Sequence, residues 1–166
     1  MFEFLKNKKK EKNINLFKLV APVTGKLLSL TDVPDPVFAQ KMAGDGVAVM
    51  PEDDVIVAPA DGELTLVFDT KHAFAMTLDN GIELLVHIGL ETVTLKGEGF
   101  EQLVQAGTKI KAGTPIMKVD REYIKSKGFS LITPVLITNT DNTKSITSVE
   151  NIDAVAGETI ILEYTV

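Results

Sequence analysis

The sequence predicts an all-β protein, an antiparallel β-sandwich built from short strands with at most one or two short helical turns. One observation is a series of runs, about four to eight residues long, that are rich in β-branched side chains and bounded by Gly, Pro, Asp or Asn. The other is that no long segment keeps the 3.6-residue period of an amphipathic helix. Several short strands at close spacing are typical of a sandwich or barrel.

The clearest strand candidates are residues 47–49, 64–68, 82–88, 131–138 and 159–166. Residues 100–106 and 121–127 are the candidates for a helical turn or two. A weak repeat, Ala-Pro-Val-Thr-Gly at 21–25 and Ala-Pro-Ala-Asp-Gly at 58–62, predicts two related hairpin units that pack together.

Residues 14–166 are predicted to form one domain, preceded by a basic flexible tail at residues 1–13. In the tail, lysines at positions 6, 8, 9, 10 and 12 follow Phe2, Phe4 and Leu5. Such a segment is either solvated and flexible or rests as a short amphipathic element on anionic lipid, so peripheral membrane contact is an open alternative.

Composition narrows the function classes. The net charge of −6 argues against general nucleic-acid binding, which needs clustered basic residues, and suits a partner with a basic face. The absence of cysteine excludes disulfides and Cys-ligated metal within this sequence. No apolar run approaches the ~18 residues of a membrane span, and we expect a cytoplasmic protein.

The only two histidines, His72 and His87, flank a predicted hairpin. Between them lies Asn80-Gly81, a strong signal for a two-residue loop because both positions tolerate positive φ. With that loop, Phe74 lies opposite His87, and the two imidazoles are diagonal neighbours on one face, roughly 7 Å apart at Cβ. A three-residue loop would shift the register by one and place them on opposite faces.

This predicted register also divides the apolar residues of the hairpin between its two faces. The core face would carry Ala73, Ala75, Ile82, Leu84, Val86 and Ile88, and the histidine face would carry Phe74, Met76 and Leu85.

Two imidazoles on one apolar face suggest two chemistries. A neutral imidazole is a nucleophile near pH 7 and can accept a phosphoryl group, which a second imidazole could hold by hydrogen bonding. Alternatively, two histidines and a carboxylate could bind zinc for hydrolysis, although the sequence identifies no third ligand. An isolated histidine on such a surface is more often a core residue. The residues alone favour the phosphoryl carrier only slightly over zinc.

A third alternative is a biotin- or lipoate-bearing domain. Turns at Gly107 and Gly113 lead to Met117-Lys118-Val119, but a methionine on only one side of Lys118 makes this signal weak.

Ordered motifs across residues 19–166 resemble the glucose-type enzyme IIA of the bacterial phosphoenolpyruvate-dependent sugar phosphotransferase system. They include Asp-Val-Pro-Asp at 32–35, Gly-Asp-Gly at 44–46 and Thr-Lys-His-Ala-Phe at 70–74. The most specific is Val-His-Ile-Gly-Leu-Glu-Thr-Val at 86–93, followed by Leu-Lys-Gly-Glu-Gly-Phe at 95–100.

This resemblance implies that His87 carries the phosphoryl group on its tele nitrogen, that His72 stabilises it and that Thr70 orients His72. It also implies a shallow apolar depression around the histidines with an acidic rim. The implied partner-binding residues are Val37, Phe38, Met42, Phe68, Leu85 and Val93, with Asp35 and Glu91 on the rim. Leu85 stands where enteric members of the family often carry phenylalanine, and Glu91 stands where many members carry aspartate. These mild departures bear on partner preference and leave the chemistry alone.

The resemblance further implies the histidine phosphocarrier HPr as donor and a sugar-specific IIB domain as acceptor, in a phosphotransferase component that needs no cofactor. Permease or kinase targets, and a zinc shared by His72, His87 and a partner carboxylate, are regulatory alternatives that the family suggests. Because several proteins would dock over one face, we expect a monomer.

Overall fold

The fold is described from a computed structural model, which covers residues 15–166. The predicted basic tail at residues 1–13, with its proposed lipid contact, lies outside the described residues. Within the described range no helix has the length and apolar character of a membrane span.

Short strands make up most of the described chain. They are β1 (Phe17–Val20), β2 (Gly25–Ser29), β3 (Asp45–Pro51), β4 (Val55–Val57), β5 (Gly62–Val67), β6 (Ala73–Thr77), β7 (Glu83–His87), β8 (Phe100–Gln102), β9 (Thr108–Ile110), β10 (Pro115–Val119), β11 (Thr133–Ile137), β12 (Ser145–Ser148), β13 (Asp153–Ala154) and β14 (Ile160–Thr165). Two short α-helices, α1 (Pro36–Ala39) and α2 (Arg121–Ser126), and 3₁₀ turns at Leu30–Asp32, Thr92–Leu95 and Thr140–Asn142 complete the described elements.

The strands form one large sheet and two small ones, and the strand pairs are antiparallel. The eight-stranded sheet has the order β13-β2-β3-β11-β7-β6-β5-β9, and the three-stranded sheets have the orders β1-β14-β12 and β4-β10-β8. The predicted all-β antiparallel fold with two short helices is therefore confirmed.

The large sheet buries apolar side chains on both of its faces. Alternation along β11 sends Val135 and Ile137 into the main core, together with side chains of the two small sheets. Leu136 points to the other face and joins a second cluster beneath the Leu30–Asp32 turn and α1, which also contains Phe38. This second cluster supports the histidine-bearing face of the sheet.

The predicted repeat has a structural counterpart. Each copy ends in a glycine that begins a strand, Gly25 for β2 and Gly62 for β5. The two copies pack together, because the residue that precedes each copy bonds to the proline of the other copy. The amide of Val20 donates to the carbonyl of Pro59 at 2.8 Å. The amide of Val57 donates to the carbonyl of Pro22 at 2.6 Å.

The prediction of helical turns is right for α2 and wrong for residues 100–106. Phe100 instead begins β8, where it pairs with Val119 of β10. Pairing with a neighbouring strand here outweighs local preference, as is common for short apolar segments.

The predicted two-residue loop between β6 and β7 is wrong. The amide of Leu78 donates to the carbonyl of Ile82 at 2.9 Å, and the amide of Gly81 donates to the carbonyl of Leu78 at 2.9 Å. These bonds enclose a three-residue loop, whose last residue, Gly81, has φ +84°. A left-handed third residue is the common form of such a loop.

The longer loop shifts the hairpin register by one residue, so that Ala73 rather than Phe74 faces His87. The predicted division of the two faces is therefore wrong for β6, whereas it is right for residues 82–88, where Leu84 and Val86 lie in the main core. Phe74 and Met76 lie in the main core, while Ala73 and Ala75 face the histidine side with Leu85. The extra loop residue reverses the assignment of β6 because side chains alternate along a strand.

We predict that Phe74→Ala lowers the free energy of unfolding by about 3–5 kcal/mol, the usual cost of a large cavity in a packed core. Chemical denaturation measures this change. Val155→Ala is the control, because Val155 is 48% exposed and Phe74 is fully buried. Equal, small effects of both substitutions would contradict the observed register.

Candidate active site: a histidine pair on the sheet face

The two histidines meet on the outer face of the large sheet. Their ring centroids are 4.9 Å apart, and the ring planes are nearly perpendicular, at 83°. His87 is the last residue of β7. His72 lies in a bend before the first residue of β6, directly after Lys71, whose φ is +59°. Because His72 precedes the strand, the alternation along β6 does not set the direction of its ring.

The tautomer of His87 is fixed by a backbone carbonyl. Its Nδ1 lies 2.8 Å from the carbonyl oxygen of Gly89. A carbonyl oxygen only accepts hydrogen bonds, so Nδ1 of the neutral ring carries the proton and Nε2 keeps its lone pair. The nucleophilic atom of His87 is therefore Nε2, the tele nitrogen that the family resemblance implies.

The position of this carbonyl depends on glycine at residue 89. Gly89 has φ +78°, a conformation that glycine adopts without steric cost. A β-carbon there would lie 2.7 Å from the carbonyl oxygen of Ser130 and 2.6 Å from Cγ2 of Thr92. Sequence reasoning did not assign this role to Gly89, although glycine two residues after a candidate nucleophile is a detectable signal.

His72 is held by Thr70 on the opposite side of the pair. Oγ1 of Thr70 lies 2.6 Å from Nδ1 of His72, the contact that the resemblance implies. A hydroxyl can donate to Nδ1, which leaves Nε2 of His72 as the N–H donor. His72 is only 4% exposed, and its ring packs edge-on against Phe68, with ring centroids 5.3 Å apart.

The surroundings keep both imidazoles neutral near pH 7. Burial, together with the neighbouring His87, lowers the pKa of His72 from its ordinary 6.5 to about 4. Burial also lowers the pKa of His87, while the hydrogen bond to Gly89 and the charge of Asp35 oppose that change. Neutral His87 is the form that can act as a nucleophile.

The predicted partner-binding residues occupy different depths around the pair. Phe38 is 5% exposed and packs against His87, with ring centroids 5.0 Å apart, so it forms a wall of the site rather than an exposed contact. Leu85 is half-buried on β7, on the same face as His87. Val37, Met42 and Val93 are exposed, on the two segments that follow Asp35 and Glu91.

The two predicted acidic residues line one cavity of about 390 Å³, whose wall also includes Leu90 and Phe129. Asp35 begins α1, and its Oδ1 accepts a hydrogen bond from the amide of Val37 at 3.0 Å. Glu91 is exposed and precedes the 3₁₀ turn Thr92–Leu95. Asp35 is close enough to His87 for its charge to oppose the lowering of the pKa of that residue, and Glu91 is exposed on the wall of the same cavity.

The structure gives little support to the two alternatives, a zinc-dependent hydrolase and a biotin- or lipoate-bearing domain. Among residues 15–166 no group of three His, Cys, Asp or Glu side chains could hold a metal ion, so a hydrolytic zinc would lack a third ligand there. Lys118 lies within β10, between Val55 and Glu101 of the adjacent strands, rather than at an exposed hairpin loop.

We predict that the stability of the protein falls as the pH is lowered from about 6.5 to about 4, partly because of His72. The unfolded chain takes up a proton at this residue near pH 6.5, whereas the folded chain resists it until about pH 4. Urea denaturation across this pH range should show that the free energy of unfolding falls more steeply with decreasing pH for the wild type than for His72→Gln. Identical pH slopes would contradict a depressed pKa at His72.

Comparison with known proteins identifies the family. Residues 17–143 match the model of the family described as phosphoenolpyruvate-dependent sugar phosphotransferase system, EIIA 1. Over 167 aligned residues the chain is 48% identical to the "PTS system glucose-specific EIIA component" of Staphylococcus epidermidis, covering 100% of this chain and 99% of that protein. The component of the same name from Oceanobacillus iheyensis is 46% identical, with 93% of each chain covered.

A solved structure shows the same fold. The glucose permease IIA from Mycoplasma capricolum superposes with a TM-score of 0.83 at 35% identity, covering 90% of this chain and 96% of that one. The chain belongs to the EIIA 1 family of the phosphoenolpyruvate-dependent sugar phosphotransferase system.

Proposed function

We propose how this phosphocarrier of bacterial sugar uptake works: Nε2 of His87 accepts a phosphoryl group from phospho-HPr and donates it to a sugar-specific IIB domain. The observation that carries the proposal is the hydrogen bond of Nδ1 of His87 to the Gly89 carbonyl, which leaves the lone pair on Nε2. We place this chemistry in the cytoplasm, on a monomer whose domain spans residues 14–166.

In the first transfer, the lone pair of Nε2 attacks the phosphorus of the donor's phosphohistidine. The new Nε2–P bond forms as the donor's N–P bond breaks, and the electron pair of that bond returns to the donor nitrogen. The protein supplies mainly alignment and charge stabilisation, as phosphoryl transfer requires. Donation to the IIB domain reverses these roles, with Nε2 of His87 as the leaving atom.

Phosphorylation changes the charge of the His87 ring. With the phosphoryl group on Nε2 and the proton kept on Nδ1, the imidazole becomes formally cationic. The Gly89 carbonyl and the Asp35 carboxylate oppose the effect of burial on its pKa, so both favour this cationic form. A cationic ring is also a good leaving group, which suits a carrier that must pass the phosphoryl group on.

His72 stabilises the group in transit. When Thr70 donates to Nδ1 of His72, the N–H at Nε2 is available to a phosphoryl oxygen beside His87. This donor is oriented before the reaction begins, and such preorganised donors lower the cost of developing charge. The apolar rings of Phe38 and Phe68 flank the pair and limit access of water.

We predict that His87→Ala abolishes phosphorylation. Purified protein is incubated with phosphoenolpyruvate, enzyme I and HPr, and intact mass is measured. Wild type should gain one acid-labile phosphoryl group only when HPr is present, and His87→Ala should gain none. Normal labelling of His87→Ala would refute the assignment of the phosphoryl group to His87.

We predict that His72→Gln is still labelled but donates to a IIB domain about 10²-fold more slowly, because it loses the preorganised donor.

We predict that Thr70→Val slows donation by about tenfold, because Nδ1 of His72 loses its hydrogen-bond donor at little change in side-chain volume. Thr70→Ser is the matched control, because it keeps the hydroxyl and should restore most of the rate. Single-turnover transfer from the phosphorylated protein to a IIB domain measures both variants. If valine and serine at this position behaved alike, the orienting role of Thr70 would be wrong.

A further inference from the structure

We infer that Thr92 is a positioning residue for phosphoryl transfer: its buried hydroxyl holds the turn after His87 in the conformation that selects the tautomer of this histidine. Thr92 acts through the backbone of the turn and not on the phosphoryl group. The inference rests on the proposed function, since the tautomer matters for transfer only if Nε2 of His87 is the accepting atom. Thr92 is not among the site residues that the family resemblance implies.

The hydroxyl of Thr92 bonds to a backbone carbonyl directly after β7. Its Oγ1 donates to the carbonyl oxygen of Ile88 at 2.6 Å. Thr92 is fully buried, and within residues 15–166 the other buried polar residues are His72 and Thr133. A buried hydroxyl is costly unless it is hydrogen-bonded, and valine would fill the same volume without that cost. The hydroxyl at this position is therefore explained by its bond to the Ile88 carbonyl.

The peptide groups on either side of this carbonyl have backbone partners. One peptide group earlier, the amide of Ile88 donates to the carbonyl of His72 at 2.7 Å. One peptide group later, the amide of Leu90 donates to the carbonyl of Ser130 at 3.0 Å. The hydroxyl of Thr92 bonds to the peptide group between these two. Three successive peptide groups after the nucleophile are thus each held in one orientation.

The middle peptide group affects where the next carbonyl, that of Gly89, points. Rotation of this peptide plane changes ψ of Ile88 and φ of Gly89, which is +78° in the structure. Glycine adopts positive and negative φ about equally readily, so it permits the observed turn but does not select it. The hydroxyl of Thr92 selects it, because the bond to the Ile88 carbonyl exists only in the observed orientation.

The selected turn is the one that fixes the reactive atom. In it the carbonyl of Gly89 lies 2.8 Å from Nδ1 of His87 and keeps the proton on that nitrogen. When the Ile88 carbonyl is released, the turn can rotate away from the imidazole. The proton of the neutral ring is then shared between Nδ1 and Nε2, and the ring loses its alignment for attack.

The test separates the hydroxyl of Thr92 from its volume. Thr92→Val replaces Oγ1 with a methyl group and keeps Cγ2, which fills the space beside Gly89. Thr92→Ser keeps the hydroxyl and loses Cγ2. Thr143→Val is the matched control, because Oγ1 of Thr143 also donates to a backbone carbonyl at 2.6 Å, that of Thr140. Thr143 follows the end of β11 that is remote from His87, and thermal unfolding confirms that each variant remains folded.

The first readout is the tautomer of His87 in the unphosphorylated protein at about pH 8, where the imidazole is neutral. Correlation spectra of ¹H and ¹⁵N in the imidazole rings distinguish a nitrogen that carries the proton from one that carries the lone pair. Wild type, Thr92→Ser and Thr143→Val should hold the proton of His87 on Nδ1. Thr92→Val should give averaged ¹⁵N shifts for this ring and leave those of His72 unchanged. A loss of overall stability alone would not change the tautomer.

The second readout is steady-state transfer from phospho-HPr to each variant. We expect Thr92→Val to lower kcat about five- to tenfold, the scale of one lost hydrogen bond, while KM stays within about twofold. Thr92→Ser should recover most of the rate, and Thr143→Val should match the wild type. This split is expected for misalignment of the nucleophile, because lost docking contacts would raise KM instead.

A wild-type tautomer or a wild-type kcat in Thr92→Val would overturn the inference and leave the proposed function standing. If Thr92→Val does not fold, Thr92→Ser is compared with Thr92→Ala, which differs from it only by the hydroxyl oxygen. Equal tautomers or equal rates in that pair would likewise overturn the inference. If wild type accepts no phosphoryl group from phospho-HPr, the proposed function fails and the role of Thr92 in transfer fails with it.

Discussion

The chemistry of the site depends on one hydrogen bond, between Nδ1 of His87 and the carbonyl of Gly89. Without it either ring nitrogen could carry the proton, and a neutral imidazole would divide its lone pair between two positions. With it, the lone pair of the neutral ring is fixed on Nε2. The bond requires left-handed backbone at residue 89 and no side chain, because Ser130 and Thr92 fill the adjacent space.

Packing on both sides of the large sheet makes this bond stable. The main core holds one face of β7 through Leu84 and Val86. On the other face Phe38 joins the second cluster and also contacts His87, so the wall of the site is itself part of a core. His87 therefore lies on a rigid strand between two packed layers, which suits the proposed reaction because phosphoryl transfer depends on alignment more than on covalent assistance.

The sequence was sufficient for the fold class and for the five clearest strand candidates, which correspond to β3, β5, β7, β11 and β14, because alternation and turn residues are local signals. It was not sufficient for the hairpin register. Asn80-Gly81 fits a two-residue loop, and the three-residue loop depends on partners that are distant in sequence. Asn80 donates to Tyr164 at 2.9 Å, and the amide of Glu83 donates to Asn139 at 2.8 Å. These contacts between distant segments do not appear in a local pattern.

The prediction that the two histidines lie close together is right, although it was based on a hairpin register that is wrong. By alternation alone, the observed register would direct residues 72 and 87 to opposite faces. They converge because His72 lies outside β6, after a left-handed residue whose lysine side chain gives no signal for that conformation. The family motifs supplied the pairing of His72 with His87, and no local pattern predicted the β-bulge between Leu64 and Leu66 of β5.

The three-residue loop carries a consequence for how this protein can change over evolution. Surface loops usually tolerate insertions and deletions. Loss of one residue from this loop would move every side chain of β7 to the other face of the sheet. Leu84 and Val86 would then take the places of Leu85 and His87. The length of a loop at the end of the hairpin remote from the histidines is thus under the same selection as His87, while Asp79, an exposed residue within that loop, is free to vary.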